Sequence, residues 1–239
     1  MTKNTIELLD SVKHRNVKVD TSLVDVPHNK MNTATVMVVE LVTLVHEYPI
    51  FITKNPNTGQ FLFSALLGIE SGENLYIKDN VWQARYLPLD VLRRPFQAML
   101  AKEDDFSGGR IAIDMANPQV INSKGERLFD QQGEPTDYLK RIQTTFAQLM
   151  GSTEQNKAVL ERLYKYNLLE SVSLELDLGG LKPTNMNGLY TINKDSLAKL
   201  SGEALEDCHQ KGLLQVCHLI MSSGTHVEKL IRWSKDKHL

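Results

Sequence analysis

The stretch 50-IFITKNPNTGQFLFSALLG-68 decides how the first third of this chain folds. Two runs rich in β-branched and aromatic residues flank Asn55, Pro56, Asn57, Thr58 and Gly59. Those five are turn formers, so the spacing predicts a β-hairpin. Upstream, 35-TVMVVELVTLVHEYPIFIT-53 carries the same β-branched bias. It fits a strand, or a short helix feeding a strand at 49-PIFIT-53. Downstream, 74-NLYIKD-79 reads as a third strand. The run 110-RIAIDM-115 alternates apolar and polar, as a half-buried strand does.

Further along, 122-NSKGERLFDQQGEPT-136 is a series of turns pivoting on Gly125 and Gly133. A helix is expected from 137 to about 149 with Thr136 as its N-cap. A second is expected from about 153 to 167, since Ser152 and Gln155 have capping-box spacing. Val159, Leu160, Leu163 and Tyr164 would share its inner face. The run 171-SVSLELDL-178 and 187-NGLYTIN-193 predict a second hairpin across the Gly179–Asn187 loop. The last quarter reads as helical with a break at Gly212. The order is strands, then mixed elements, then helices. The fold class expected is therefore α+β, with a mixed or mostly antiparallel sheet and a helical C-terminal part, residues 194–239. Whether strands near 35–77 pair with those near 171–193 is left open by local pattern.

Two segments read as irregular. In 82-WQARYLPLDVLRRPF-96, Pro88 and Pro95 break a helix, yet the apolar mass of the segment must pack on something. The acidic, glycine-rich 102-KEDDFSGG-109 reads as an exposed turn.

Bulk properties exclude several classes. Of 239 residues, 41% are apolar and 23% charged, the ordinary balance of a globular protein that buries a core without staples. A single domain, 1–239, is expected. The formal charge of -2 offers nothing to offset a phosphate backbone, so nucleic acid is not an expected partner. Two cysteines make no disulfide framework and suit a reduced compartment. The N-terminus lacks an apolar core, so it does not read as a secretory signal. The most apolar runs, 34–45 and 213–221, are interrupted by Glu40 and His218. Both fall short of the roughly 20 residues that span a bilayer. A cytoplasmic protein without a membrane span is expected.

Both cysteines lie in 206-EDCHQKGLLQVCHLIM-221, each followed by a histidine. A Cys2His2 metal site is the sharp reading of that rhyme. Neighbours on a helix point about 100° apart, however, and do not converge on one ion. The plainer reading makes Cys208 and Cys217 small buried residues, with His218 beside an inner stripe of Leu213, Cys217, Ile220, Gly224, Val227 and Ile231. Neither thiol reads as a nucleophile. Cys208 follows Asp207 near a helix C-terminus, and Cys217 is flanked by apolar residues. No metal and no cofactor is expected. G-x-G-x-x-G, P-loop, G-x-S-x-G, H-E-x-x-H and H-x-D motifs do not occur.

The best binding candidate is the aromatic–arginine segment. Arg85, Arg93 and Arg94 beside Trp82, Tyr86 and Phe96 suit capture of a carboxylate or phosphate, or a protein interface. The alternative is that the guanidiniums lock an extended segment by bonding backbone carbonyls. Among the carboxylates Glu40, Glu47, Asp90 and Asp114, the one that ends a strand, Asp114, best fits an acid/base role.

A family resemblance runs through these pieces. The elements 47-EYPIFIT-53, 65-ALLGIESGENLYI-77 and 82-WQARYLPLDVLRRPF-96 resemble the SapC-like family of bacterial proteins. Further along, 110-RIAIDM-115, 125-GERLFDQQGEPT-136, 188-GLYTINKDSLAKLSGEAL-205 and 212-GLLQVCHLIMSSG-224 agree in order and spacing. The resemblance covers about residues 15–232. It implies a link to bacterial surface-layer genetics, and relatives found beside flavin-dependent halogenase-like proteins and polymer-uptake receptors. It also brings a peptide-transport permease label that the missing span argues against, and it implies no catalytic residues. The expected function is an accessory protein of bacterial envelope or polymer-uptake metabolism that binds a protein partner or small ligand, with a homodimer compatible. The competing expectation is an enzyme of unrecognised type using Asp114, Glu47 or His218.

Overall fold

The computed structural model describes residues 5–99, 110–121, 123–177 and 184–238. Every strand pairing among them is antiparallel, and the last helices end the chain, so the fold is α+β. The chain divides into two compact units interleaved along the sequence. One comprises residues 1–30, 77–82 and 89–151; the other comprises 31–76, 83–88 and 152–239.

The first unit holds three small sheets. Strand β1 (Ile6–Leu8) pairs with β9 (Arg110–Asp114), which pairs with β8 (Phe96–Met99). Strand β2 (Lys18–Val19) lies between β10 (Val120–Ile121) and β11 (Glu126–Arg127). The third is a two-residue hairpin of β6 (Ile77–Lys78) and β7 (Val81–Trp82), so the strand expected over 74–79 shrinks to its end. Its turn residues, Asp79 and Asn80, both have positive φ (51° and 59°), the geometry of the hairpin turn that Asn and Asp tolerate best. The Asn80 carboxamide then ties down a neighbouring loop. Its Oδ1 accepts from the Val24 and Asp25 amides at 2.8 Å each, and its Nδ2 donates to Ser22 O. A one-turn helix, α2 (Leu89–Leu92), fits between Pro88 and Pro95. The core joins Val19, Phe96, Ile113 and Leu128 to Tyr138, Leu139, Ile142 and Phe146.

The second unit is built on a five-stranded sheet. Its order is β12 (Leu169–Leu176), β13 (Thr184–Ile192), β4 (Ile50–Lys54), β5 (Phe61–Leu66), β3 (Thr33–Val36). The β4–β5 hairpin is the one expected. Asn55 Oδ1 accepts from the amides of Asn57 and Thr58, and Gly59 closes the turn with φ at 70°. The β12–β13 hairpin also forms; most of its connection lies outside the described residues, as does 102–109. The pairing of Leu189 and Tyr190 with Thr53 and Ile52 joins the two hairpins into one sheet. Between β3 and β4 the chain makes a helical turn, α1 (Leu41–Leu44), so 35–53 holds both a strand and a short helix feeding a second strand. The C-terminal helices are α4 (Lys194–Ala198), α5 (Gly202–Gln210), α6 (Leu213–Ser223) and α7 (Val227–His238), with Gly212 at the expected break. The Ser223 hydroxyl, fully buried on α6, accepts from the Ile50 amide at 2.9 Å.

The two helices expected after Thr136 are one, α3 (Asp137–Lys165). Thr136 does sit at its start, with the Leu139 amide 3.4 Å from its hydroxyl. Gly151 does not end it, because a glycine in a helix costs only about 1 kcal/mol and no proline follows. Ser152 is therefore buried mid-helix and caps nothing. Tyr164, expected on the inner face, is 65% exposed. The polar residue that matters is Asn156. Its Oδ1 accepts from the Val38 amide at 2.6 Å and its Nδ2 donates to Val36 O at 3.2 Å, so it satisfies the backbone where β3 ends.

Gly125 has φ of 100°, and a Cβ there would lie 2.3 Å from Val19 O. At Gly59 the φ is also positive, but the space is open. Gly125→Ala is expected to cost about 3 kcal/mol, from strain plus collision, and Gly59→Ala about 1 kcal/mol. Denaturant unfolding of both variants checks this; equal losses would mean that the close approach at Val19 carries no weight.

Candidate functional site

In the first unit, α2 presents Asp90 to the two arginines that follow it. Arg93 donates from Nε and Nη2 to Asp90 Oδ1 at 3.0 and 2.6 Å, and from Nη1 to Phe96 O at 3.1 Å. Arg94 donates from Nε to Asp90 O at 3.2 Å and from Nη2 to Asp90 Oδ2 at 3.3 Å. Its Nη1 donates to the carbonyl of His28, on a short turn at Pro27–Asn29. Burial pushes the Arg94 pKa down, and Asp90 works against that shift. Both guanidiniums thus act on protein acceptors, and Arg94 fixes the backbone that carries His28.

Asp114 ends β9, and its carboxylate is nearly buried, with the side chain 10% exposed. Oδ1 accepts from the Thr5 hydroxyl at 2.9 Å and the Ala116 amide at 3.0 Å. Oδ2 lies 3.2 Å from His28 Nε2. The His28 side chain is 43% exposed, yet the residue is held at two points, its backbone carbonyl by Arg94 and its ring beside Asp114.

These groups line a cavity of about 290 Å³, completed by Pro95, Phe96, Gln97 and Asn117. Asn117 is only 2% exposed. Its Oδ1 accepts from the Gln119 amide at 2.9 Å. A carboxylate-held imidazole in such a place can act as a general base or as a binding group.

Of the residues singled out from sequence, Arg93, Arg94 and Asp114 line this one cavity. Trp82 belongs to the β6–β7 hairpin of the same unit. Arg85 and Tyr86 belong to the other unit, where both are exposed and the guanidinium stands 5.4 Å from the Tyr86 ring. Their amides donate to the Glu47 carboxylate at 2.8 and 3.3 Å, so Glu47 is engaged in holding backbone. Glu40 does the same for the Met37 amide at 2.7 Å. His218 is exposed on a groove with Leu205, Leu214 and Met221. Sequence reading missed His28 and Asn117. His28 lies 86 residues before Asp114, and its local signal was a proline-led turn holding a histidine; Asn117 lies three residues after Asp114, in an Asn-Pro turn that reads as a strand end rather than a site.

The Cys-His rhyme does not make a site. Cys208 and Cys217 are fully buried, while His209 and His218 are exposed. Among the described residues no three His, Cys, Asp or Glu side chains converge as metal ligands would. Burial raises the Cys217 thiol to about 12, and nearby Cys208 adds to the shift. Cys208 is raised by burial and by Asp207.

A family model described as SapC matches residues 9–230 of the 239. No curated protein and no solved structure matches the chain.

Two outcomes follow from this geometry. Replacing Arg93 and Arg94 together by alanine leaves Asp90 without its cations and is expected to cost about 3–5 kcal/mol, read as a lower denaturation midpoint. A double variant as stable as the parent would show that the guanidiniums are not structural. Neither cysteine should react with a thiol reagent near pH 8 in the folded protein, and both should react in denaturant. Fast native labelling of Cys217 would contradict its burial.

Proposed function

The chain belongs to the SapC family, and we propose that it acts by binding, as an accessory protein. Its ligand-binding place is the cavity of the first unit, with His28, Asn117 and Asp114 as the contacting groups. The carrying observation is the double fixation of His28, because a binding group that is already ordered loses little entropy when a ligand arrives. The setting follows from the resemblance: bacterial envelope or polymer-uptake metabolism in the cytoplasm, beside a flavin-dependent halogenase-like partner. We take the whole chain as one SapC-like domain, since the family match runs through both units. The permease reading is disfavoured because no described helix is long and apolar enough to cross a membrane.

One observation favours a second reading. Asp114 and His28 are arranged as a carboxylate–imidazole pair, which is how a general base is commonly held. In that case the chain is an enzyme, and the residues are not those expected beyond Asp114.

Native mass spectrometry on protein purified gently from its own cells, beside a His28→Ala variant, tests the proposal. The expected result is a bound small molecule or protein on the parent that is absent from the variant. Retention of the same mass by His28→Ala would move the binding function away from this cavity. Appearance of a product from the bound molecule, lost in Asp114→Asn, would favour the enzyme.

A further inference from the structure

The second unit seats a cation on aromatic faces. Lys54 ends β4 and Phe61 begins β5, and the two are register partners across the hairpin. Tyr190 of β13 pairs with Ile52, two residues before Lys54, so it shares their face of the sheet. The Phe61 and Tyr190 rings meet at 82° with centroids 5.1 Å apart. They make a corner, and the Lys54 ammonium lies in it, 4.9 Å from the Phe61 centroid and 5.3 Å from that of Tyr190. Tyr164 of α3 packs against Phe61 with centroids 5.7 Å apart, and it is 65% exposed, so the group of rings is open to solvent. Among the described residues Lys54 makes no ion pair; the lysines that do are others.

A ring face attracts a cation through its quadrupole and brings no strong hydrogen-bond acceptor. A lysine ammonium carries three N–H donors and is strongly hydrated, so two ring faces satisfy it poorly. Lys54 is exposed and tethered there by β4, and it can swing back into water. A quaternary ammonium has no N–H to satisfy, holds its water loosely, and packs methyl groups on the rings. We propose that the Phe61–Tyr190 corner binds the trimethylammonium group of a small soluble compound, which takes the place of the Lys54 ammonium. The adjoining turn, 55-NPNTGQ-60, is polar and offers no apolar anchor for a bilayer, so the source is a free compound and not a lipid headgroup. This site shares no residue with the His28 cavity and goes beyond the function proposed for it.

The test is a proton NMR titration of choline with the full chain. The N-methyl signal should move upfield, because protons above a ring face are shielded by its ring current, and should saturate with a Kd below about 10 mM. The neutral alcohol in which carbon replaces the choline nitrogen has the same shape without the charge. It should bind at least about tenfold more weakly. Ethanolamine, which keeps the charge and regains the N–H groups, should also be weaker, by about tenfold. Lys54→Ala removes the resident cation and should tighten choline binding about threefold or more. Phe61→Leu and Tyr190→Leu keep apolar bulk without the ring face, and each should abolish the upfield shift. A melting curve checks that they fold; the neutral alcohol and Lys54→Ala decide the matter without them.

The inference is overturned if the neutral alcohol matches choline, if Lys54→Ala leaves the affinity unchanged or lowers it, if the N-methyl signal does not saturate, or if a folded leucine variant still shifts it. Phosphatidylcholine vesicles that pellet the chain, with choline competing, would make a lipid the source and overturn the free-compound reading. The accessory-binding reading stands or falls separately, on the mass that co-purifies with the parent and not with His28→Ala.

Discussion

Asp90 is the constraint on which the candidate site depends. One carboxylate on a one-turn helix receives hydrogen bonds from two consecutive arginines, and each arginine then reaches a backbone carbonyl, Phe96 O for one and His28 O for the other. A helix of four residues has no cooperative stability of its own. The ion cluster gives it a reason to exist between two prolines and fixes where β8 begins. It also anchors a turn more than sixty residues earlier in the chain. At 15% exposure for the Asp90 side chain and 18% for Arg94, water competes poorly for these bonds, so they hold geometry that a surface ion pair would not.

How much of this the sequence discloses depends on the range of the interaction. The β4–β5 and β12–β13 hairpins are legible because a turn is encoded by four or five adjacent residues, as at Asn55–Gly59. The break at Gly212 and the burial of both cysteines are legible for the same reason. The union of the two hairpins through Tyr190 and Ile52 is not, since both strands look like acceptable edges and nothing local names the partner. The continuity of α3 was hidden by Gly151 and Ser152, which read as a stop and a cap. Local preference there is worth about 1 kcal/mol, and the packing of Asn156, Leu160 and Leu163 outweighs it.

The site divides the same way. Asp114 could be picked out because it ends an alternating strand, and Arg93 and Arg94 because paired arginines beside aromatics are conspicuous. Their shared cavity could not, because it joins the Pro27 turn, α2 and the end of β9, and these come together only in three dimensions. His28 carried no motif of its own. A histidine after a proline is common, and only the carboxylate 86 positions away gives it a role.

The contrast between the arginines and His28 is what makes the arrangement informative. Arginine stays charged at all accessible pH values, and here its donors mostly face the protein, so the cations form a fixed wall. His28 differs from them in kind: its side chain is 43% exposed, and its two ring nitrogens can each donate or accept. A fixed wall with one adaptable ring at its mouth is therefore an arrangement in which the backbone is set by Asp90 and the arginines, and the chemistry of contact is left to the imidazole.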